Sequence, residues 1–340
     1  MAVQQISGKL EGPEAAPPAA PGRWRSRGRA FLYRYAVALA LALMVVLFSA
    51  LLPHTFFTVG NFQTIVSSQA VLLILALGLT VPLLVGEFDL SIAAMLGFAA
   101  ILLTYLTGKA GWAAVPAIAA VLAAGVLVGA VNGLFVVRFG VNAFITTLGT
   151  GTVLTGLTLA VSGGQILNGV PQAIVDVASN DFLLGLPAPV FIGLALAVAL
   201  WFVYDHTPLG RYLFFVGESR EVARLAGLRV DRMRWLALVA ASVLATVGGI
   251  LAAGQLGAAD PSSGPNFLLP AFAAAVLGAT TIKPGRFNAW GTVIAQYVLI
   301  TGVTGLQLLG ASSWVEQVFN GTALVIAVTF ARLASQEPAR

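Results

Sequence analysis

The 340-residue sequence predicts an all-α polytopic membrane protein with about ten transmembrane helices and both termini in the cytoplasm. Hydrophobic residues make up 59% of the chain and charged residues only 9%, against roughly 25% charged in an average soluble domain. So little charge cannot cover a folded surface of this size, so the outer apolar surface faces lipid. Apolar segments near the bilayer-crossing length of about 20 residues recur along the chain. The basic residues fall between those segments in a one-sided pattern.

The predicted spans are 34–52, 64–85, 89–107, 112–137, 143–162, 187–204, 233–253, 267–282, 289–309 and 315–332. Helix breakers separate them: Gly86, the Gly108–Gly111 stretch, Gly140, Gly163 and Gly164, Pro208, Pro261, Pro284 with Gly285, and Gly310. Segments 187–204 and 267–282 are short and read as tilted or broken. With the N-terminus inside and one crossing per helix, only Lys109 of the 18 Lys and Arg falls outside. Basic residues are retained in the cytoplasm. Charge placement is independent of the hydropathy that marks the spans, and it supports an even number of crossings.

Residues 1–30, rich in Pro, Ala, Gly and Arg, are predicted to form a disordered basic cytoplasmic tail. Residues 31–333 form the transmembrane domain, with a cytoplasmic loop at 205–232, and 334–340 form a short cytoplasmic tail. Arg23 to Arg29 followed by the apolar run 35–52 imitates a secretory signal. The run is too long for a signal's apolar region and further spans follow, so it reads as an uncleaved first span.

Several chemistries find no residues to carry them. The chain has no Cys, hence no disulfide or thiolate metal site. His54 and His206 lie far apart at segment edges and read as solvated or capping groups, so no metal site is expected. Lys9, Lys109 and Lys283 are followed by Leu, Ala and Pro, so none completes a phosphate-binding loop. Gly149, Gly151 and Gly156 lack dinucleotide-site spacing and read as a packing face. The net charge of +5 is spread between spans and is a topology signal, with no nucleic-acid partner expected. The expectation is a chain that is no enzyme and holds no cofactor. Its spans are almost free of ionisable residues, which weighs against an ion-coupled carrier, although carbonyls and hydroxyls alone can hold sodium.

The polar residues that remain define candidate sites. Within 205–232, Glu218 to Leu228 is predicted to be a short helix. Ser219 is its N-cap, Glu221 lies in the first turn, and Gly227 is its terminator. Ala223, Leu225 and Ala226 form an apolar patch, with Arg220 and Arg224 on another face. Such a helix docks in a cytoplasmic partner or lies on anionic lipid. Asp89 begins span three either as a helix cap or as a hydrogen-bonding group on a solute path. Asn142, Thr146, Thr147, Thr150, Thr152 and Gln165 supply neutral donors and acceptors, suited to a sugar path or to bonding between helices. Gly125, Gly129 and Gly133 form a small-xxx-small row for close helix approach. Asp176, Asp181, Asp260 and Glu316 in the outer loops would favour a partner with a basic rim.

Four segments carry a family resemblance. REVARLAGL, 220–228, resembles the Glu-Ala-Ala…Gly coupling-helix loop of ABC importer permeases, matched by Glu221, Ala223 and Gly227. The wider stretch 207–234 is similar to the loop of ribose/xylose/galactose-type permeases and of their branched-chain amino-acid relatives. GEFDLSIAAMLG, 86–97, resembles the Gly-Gly-Ile-Asp-Leu-Ser motif of the sugar-type group, with Glu87 and Phe88 as departures. VNAFITTLGTGTVLTGLTLAVSGGQ, 141–165, resembles their Pro-Phe-Ile-x-Thr-Leu-Gly segment, with Ala143 where Pro is frequent. Segment 257–292 resembles one ending in Gly-Gly-Thr-Ser…Gly-Gly-Arg-Gly, from which Ala279, Thr280, Pro284 and Phe287 depart.

The resemblance implies a permease subunit of an ABC sugar importer in the bacterial cytoplasmic (inner) membrane. Glu218, Arg220, Glu221, Ala223, Arg224, Leu225 and Gly227 would then couple to a cytoplasmic ATPase subunit that holds ATP and magnesium. Further implied partners are a second permease subunit, identical or related, and an extracytoplasmic solute-binding protein, with membrane lipid around the spans. The alternatives are the same machine for a branched-chain amino acid, nucleoside or quorum signal, and an ion-coupled secondary carrier.

Overall fold

The computed structural model describes residues 23–336; residues 1–22 and 337–340, and with them most of the expected tails, lie outside the described residues. Helix α1 runs Arg23–Leu51 and so reaches into the segment expected as tail. Extending an existing apolar helix costs less than nucleating one. The second expected span is two helices, α2 (Val59–Ser68) and α3 (Ala70–Leu84), bent by 42° at Gln69. Thr58 caps α2 by accepting from the Asn61 N–H at 3.2 Å.

Helices α4 (Ile92–Thr104) and α5 (Ala114–Gly133) each end in a π-helical turn, Tyr105–Lys109 and Leu134–Arg138. Then come α6 (Ala143–Ser162), the short α7 (Gln172–Ser179) and α8 (Ala188–His206). Helices α9 (Pro208–Glu218) and α10 (Arg220–Leu225) fill much of the polar loop, and α11 (Val230–Leu256) follows. A 3-10 turn, Gly264–Phe267, leads into α12 (Leu268–Gly278). The described chain closes with α13 (Ala289–Leu308) and α14 (Trp314–Gln336).

The fold is a polytopic helical bundle, with one small correction to an all-α class. Leu167–Asn168 (β1) pairs antiparallel with Ala258–Ala259 (β4), and Asp181–Leu183 (β2) with Leu186–Pro187 (β3). Among the described residues seven helices are long and apolar enough to cross a membrane, or eight with the bent pair as one span. The sequence predicts about ten. Part of the difference lies in 267–282, where the apolar helix is the shorter stretch Gly264–Gly278.

At the centre lies α3, every residue of which is buried. Its unbroken apolar run fits a helix enclosed on all sides. Helix α11 crosses α3, α4 and α5, and the glycine row of α5 sets that crossing. A Cβ on Gly129 would sit 2.6 Å from the Val239 Cα, and one on Gly133 would collide with the Trp235 indole. The Ser242 hydroxyl donates to the Gly125 carbonyl at 2.7 Å across the same contact.

Candidate functional site

The loop after α8 is built from two capped helices. Thr207 caps α9 by accepting from the Gly210 N–H at 3.3 Å, and Pro208 opens its first turn, where a missing N–H costs nothing. Glu218 is the last residue of α9 and lies outside the helix that the sequence predicts to begin there. Ser219 breaks the chain in an extended conformation (φ −156°, ψ 107°) and caps α10, accepting from the Val222 N–H at 3.4 Å. Gly227, at φ +80°, ends the turn in the left-handed region.

The faces of α10 also differ from expectation. Ala223 is buried in a cluster with Leu84, Val85, Val216 and Val230, so it forms no exposed patch with Leu225. Leu225 is 89% exposed and Val222 49%. Arg220 and Arg224 present no free basic face. The Arg220 Nη2 donates to the Gly86 carbonyl at 3.0 Å and to Glu87 Oε1 at 2.6 Å, and Arg224 pairs with Asp231 at 2.7 Å. The reason is a buried acid: Glu87 also accepts from Arg234 Nε at 2.5 Å. A carboxylate out of water needs cationic partners, and the loop supplies them. Glu221 sits exposed in the first turn of α10.

From Glu87 the non-helical segment 87–91 turns into the bundle. Asp89 is fully buried. Its Oδ1 accepts from the Ser91 N–H at 2.9 Å and the Ser91 hydroxyl at 2.6 Å, whereas Oδ2 has no hydrogen-bond partner. The Ser91 oxygen accepts from Asn132 Nδ2 at 2.9 Å, and Asn132 Oδ1 accepts from the Thr150 hydroxyl at 2.7 Å. Thr147 accepts from the Leu90 N–H at 3.0 Å and donates to the Ala143 carbonyl at 2.8 Å. A continuous polar chain thus links the start of α4 to α5 and α6 in an apolar interior, where such bonds reinforce one another. Asn132 is the member that sequence reasoning passed over. Its signal was a lone amide beside Gly133 in an otherwise apolar span.

The remaining candidates are dispersed. Asn142 caps α6, accepting from the Phe144 N–H at 2.8 Å. The Thr146 hydroxyl is buried without a partner, facing the furrow between α5 and α6. Thr152 is exposed and bonds only to the Leu148 carbonyl of its own helix at 3.0 Å. Gln165 is exposed in the loop beyond α6. The 20 residues of α6 put it roughly 30 Å from Asn142, so the two share no site.

Near α9 two further basic residues tie the 281–286 turn to the bundle. Lys283 pairs with Asp205 at 2.5 Å, and the Arg286 guanidinium lies 4.1 Å from the Phe214 ring centroid.

Residues 61–328 match the family described as branched-chain amino acid transport system / permease component. The ribose import permease protein RbsC of Escherichia coli (strain K12) is 32% identical over 288 residues, which cover 84% of this chain and 89% of the relative. The D-allose transport system permease protein AlsC of the same strain is 30% identical over 297 residues, 86% of this chain and 90% of the relative. The autoinducer 2 import system permease protein LsrD of Photorhabdus luminescens is 32% identical over 261 residues, 75% and 78% of the two chains. No solved structure matches.

Proposed function

From the premise that the chain belongs to the permease-component family of branched-chain amino acid transport systems, within its ribose- and sugar-type group, we propose that its solute is a monosaccharide and that α10 is its engine contact. It is a multi-pass permease subunit of an importer in the bacterial inner membrane. Its relatives' names supply ribose and allose as the chemical class. The membrane domain at 31–333 crosses about ten times, the short Gly264–Gly278 helix and α14 completing the eight apolar crossings, with both tails inside.

One observation carries the coupling: a six-residue helix with an 89% exposed leucine at its tip is clamped through Arg220 to Glu87, two residues from Asp89. An apolar tip held out by charges fits a cleft in a cytoplasmic ATPase, which would hold the ATP and magnesium. Closure of that ATPase would push α10. The Glu87 clamp would carry the push to segment 87–91, and the Ser91–Asn132–Thr150 chain would spread it to α5 and α6 as rigid-body motion. Glu218, Glu221, Ala223, Arg224 and Gly227 would shape the docking loop. Asp89, Thr146, Thr147 and Thr150 are the candidates for the path, whereas Asn142 and Gln165 lie near its two ends. A second permease subunit would complete the pathway, and a binding protein would deliver the sugar from outside.

The reading is tested by reconstituting the chain with its ATPase and binding protein in proteoliposomes. Uptake of one or more of D-ribose, D-allose, D-xylose and D-galactose should require ATP inside. Transport without the ATPase, driven by an ion gradient, or ATP-driven uptake of leucine in place of every sugar, would contradict it.

A further inference from the structure

We propose that a cleft between the Gly264–Phe267 turn, the start of α12 and the first two turns of α14 is a sugar subsite at the outer mouth of the permease. The proposal rests on the sugar-permease reading. The cleft has a volume of about 600 Å³ and draws its polar lining from Asn266, Ser313, Trp314, Glu316, Gln317 and Asn320. That volume lies within the roughly 300–1,000 Å³ range of small-molecule sites.

Asn320 is the first indication of a ligand. It is 6% exposed, it faces the cleft, and its amide makes no hydrogen bond in the described chain. Its amide atoms keep accessible surface on the cleft side, where water or a ligand meets them. The side chains of Asn266, Glu316 and Gln317 are exposed on the lining and make no bond within the described chain, so they are open to a ligand in the cleft.

The residue types define the ligand class. Each amide offers two donors and an acceptor, which suits hydroxyls that both donate and accept. Trp314 is 61% exposed at the rim, and its indole offers an apolar face with one polar edge. A sugar ring presents the complement, a C–H face ringed by hydroxyls. No Lys, Arg or His lines the cleft, so the carboxylate of an amino acid would find no counter-charge there. Glu316 offers an ammonium group a partner, but no basic side chain meets the carboxylate, so the lining favours a neutral polyhydroxylated solute over an amino acid.

The wall carrying Asn266 is rigidly placed. A Cβ on Gly97 would come within 2.9 Å of the Gly264 Cα, so the 3-10 turn lies directly on the backbone of α4. Ser263 is held by Asp260, its hydroxyl donating to the Asp260 carbonyl at 2.9 Å.

The test places a reporter in the cleft of the complete transporter. Gln317→Cys is labelled with a membrane-impermeant maleimide in proteoliposomes, with and without the sugar that the wild type takes up. At a sugar concentration about ten times its dissociation constant, labelling should slow about tenfold. Leucine should give no protection. Adding Asn320→Ala should abolish the protection while the ATPase still copurifies. Unchanged labelling with a sugar that wild-type transporter imports, equal protection by leucine, or labelling blocked with and without sugar by a second copy of the chain would each overturn the proposal. Failure of every sugar in the uptake assay would instead overturn the function on which it rests.

Discussion

At Glu87 a single carboxylate oxygen accepts from two guanidinium groups, Arg220 at 2.6 Å and Arg234 at 2.5 Å. In the motif that this segment resembles, the position is a glycine, so the sequence marked Glu87 only as a departure. Its partners lie 133 and 147 residues away, beyond the reach of any local pattern. A buried acid between two spans with an Arg-rich loop nearby was nevertheless a readable pairing problem. Glu87→Gln removes the charge but keeps the shape, leaving the largely buried Arg234 with only a 3.9 Å contact to the exposed Asp231. The expected cost is on the order of 3 kcal/mol, measured as a lower unfolding temperature. In the reconstituted transporter, ATP hydrolysed per sugar imported should rise severalfold because the clamp on α10 is loosened. An unchanged ratio in well-folded protein would confine Glu87 to a structural role. Asp89 shows the same limit at closer range. Its neighbour Ser91 was visible in the motif and Thr150 among the neutral polar residues of α6, whereas Asn132, which joins the two, was brought in by helix packing.

Among the elements, α5 was the most readable. Small residues at every fourth position make one face of a helix, and in lipid such faces meet other backbones. Gly125, Gly129 and Gly133 meet α11 in that way. Gly129→Leu would drive a side chain into the α11 backbone and should cost at least about 1–3 kcal/mol, read from thermal unfolding in detergent; stability equal to wild type would mean the contact is not tight. Helix α10 was less readable. Its N-cap at Ser219, Glu221 in the first turn and the stop at Gly227 are as the sequence predicts; what local pattern does not carry is that Glu218 ends α9 and that Arg220 turns inward to Glu87. The bend at Gln69 falls at the polar triplet Ser67, Ser68 and Gln69, just before the apolar run from Ala70 and with no Pro or Gly near it, and the Gln69 amide accepts from Gln296 at 2.6 Å. That partner is 227 residues distant.

For the whole molecule, composition alone was enough for a lipid-embedded helical bundle, because 9% charge admits few other folds at this length. Hydropathy marked where most helices lie but not which of them are broken or short, since burial among other helices and burial in lipid read alike. The loop 205–232 joins the scales: its sequence carries the family resemblance, its residues hold the Glu87 clamp, and its tip faces outward. The central claim, that this tip is where the engine attaches, is tested most directly by copurifying the ATPase subunit with Leu225→Asp permease. Leu225 is 89% exposed, so the permease should keep its own stability within about 0.5 kcal/mol. The account predicts that the ATPase is lost from the purified complex and that ATP-driven sugar uptake goes with it. Full recovery of the ATPase with undiminished uptake would contradict it.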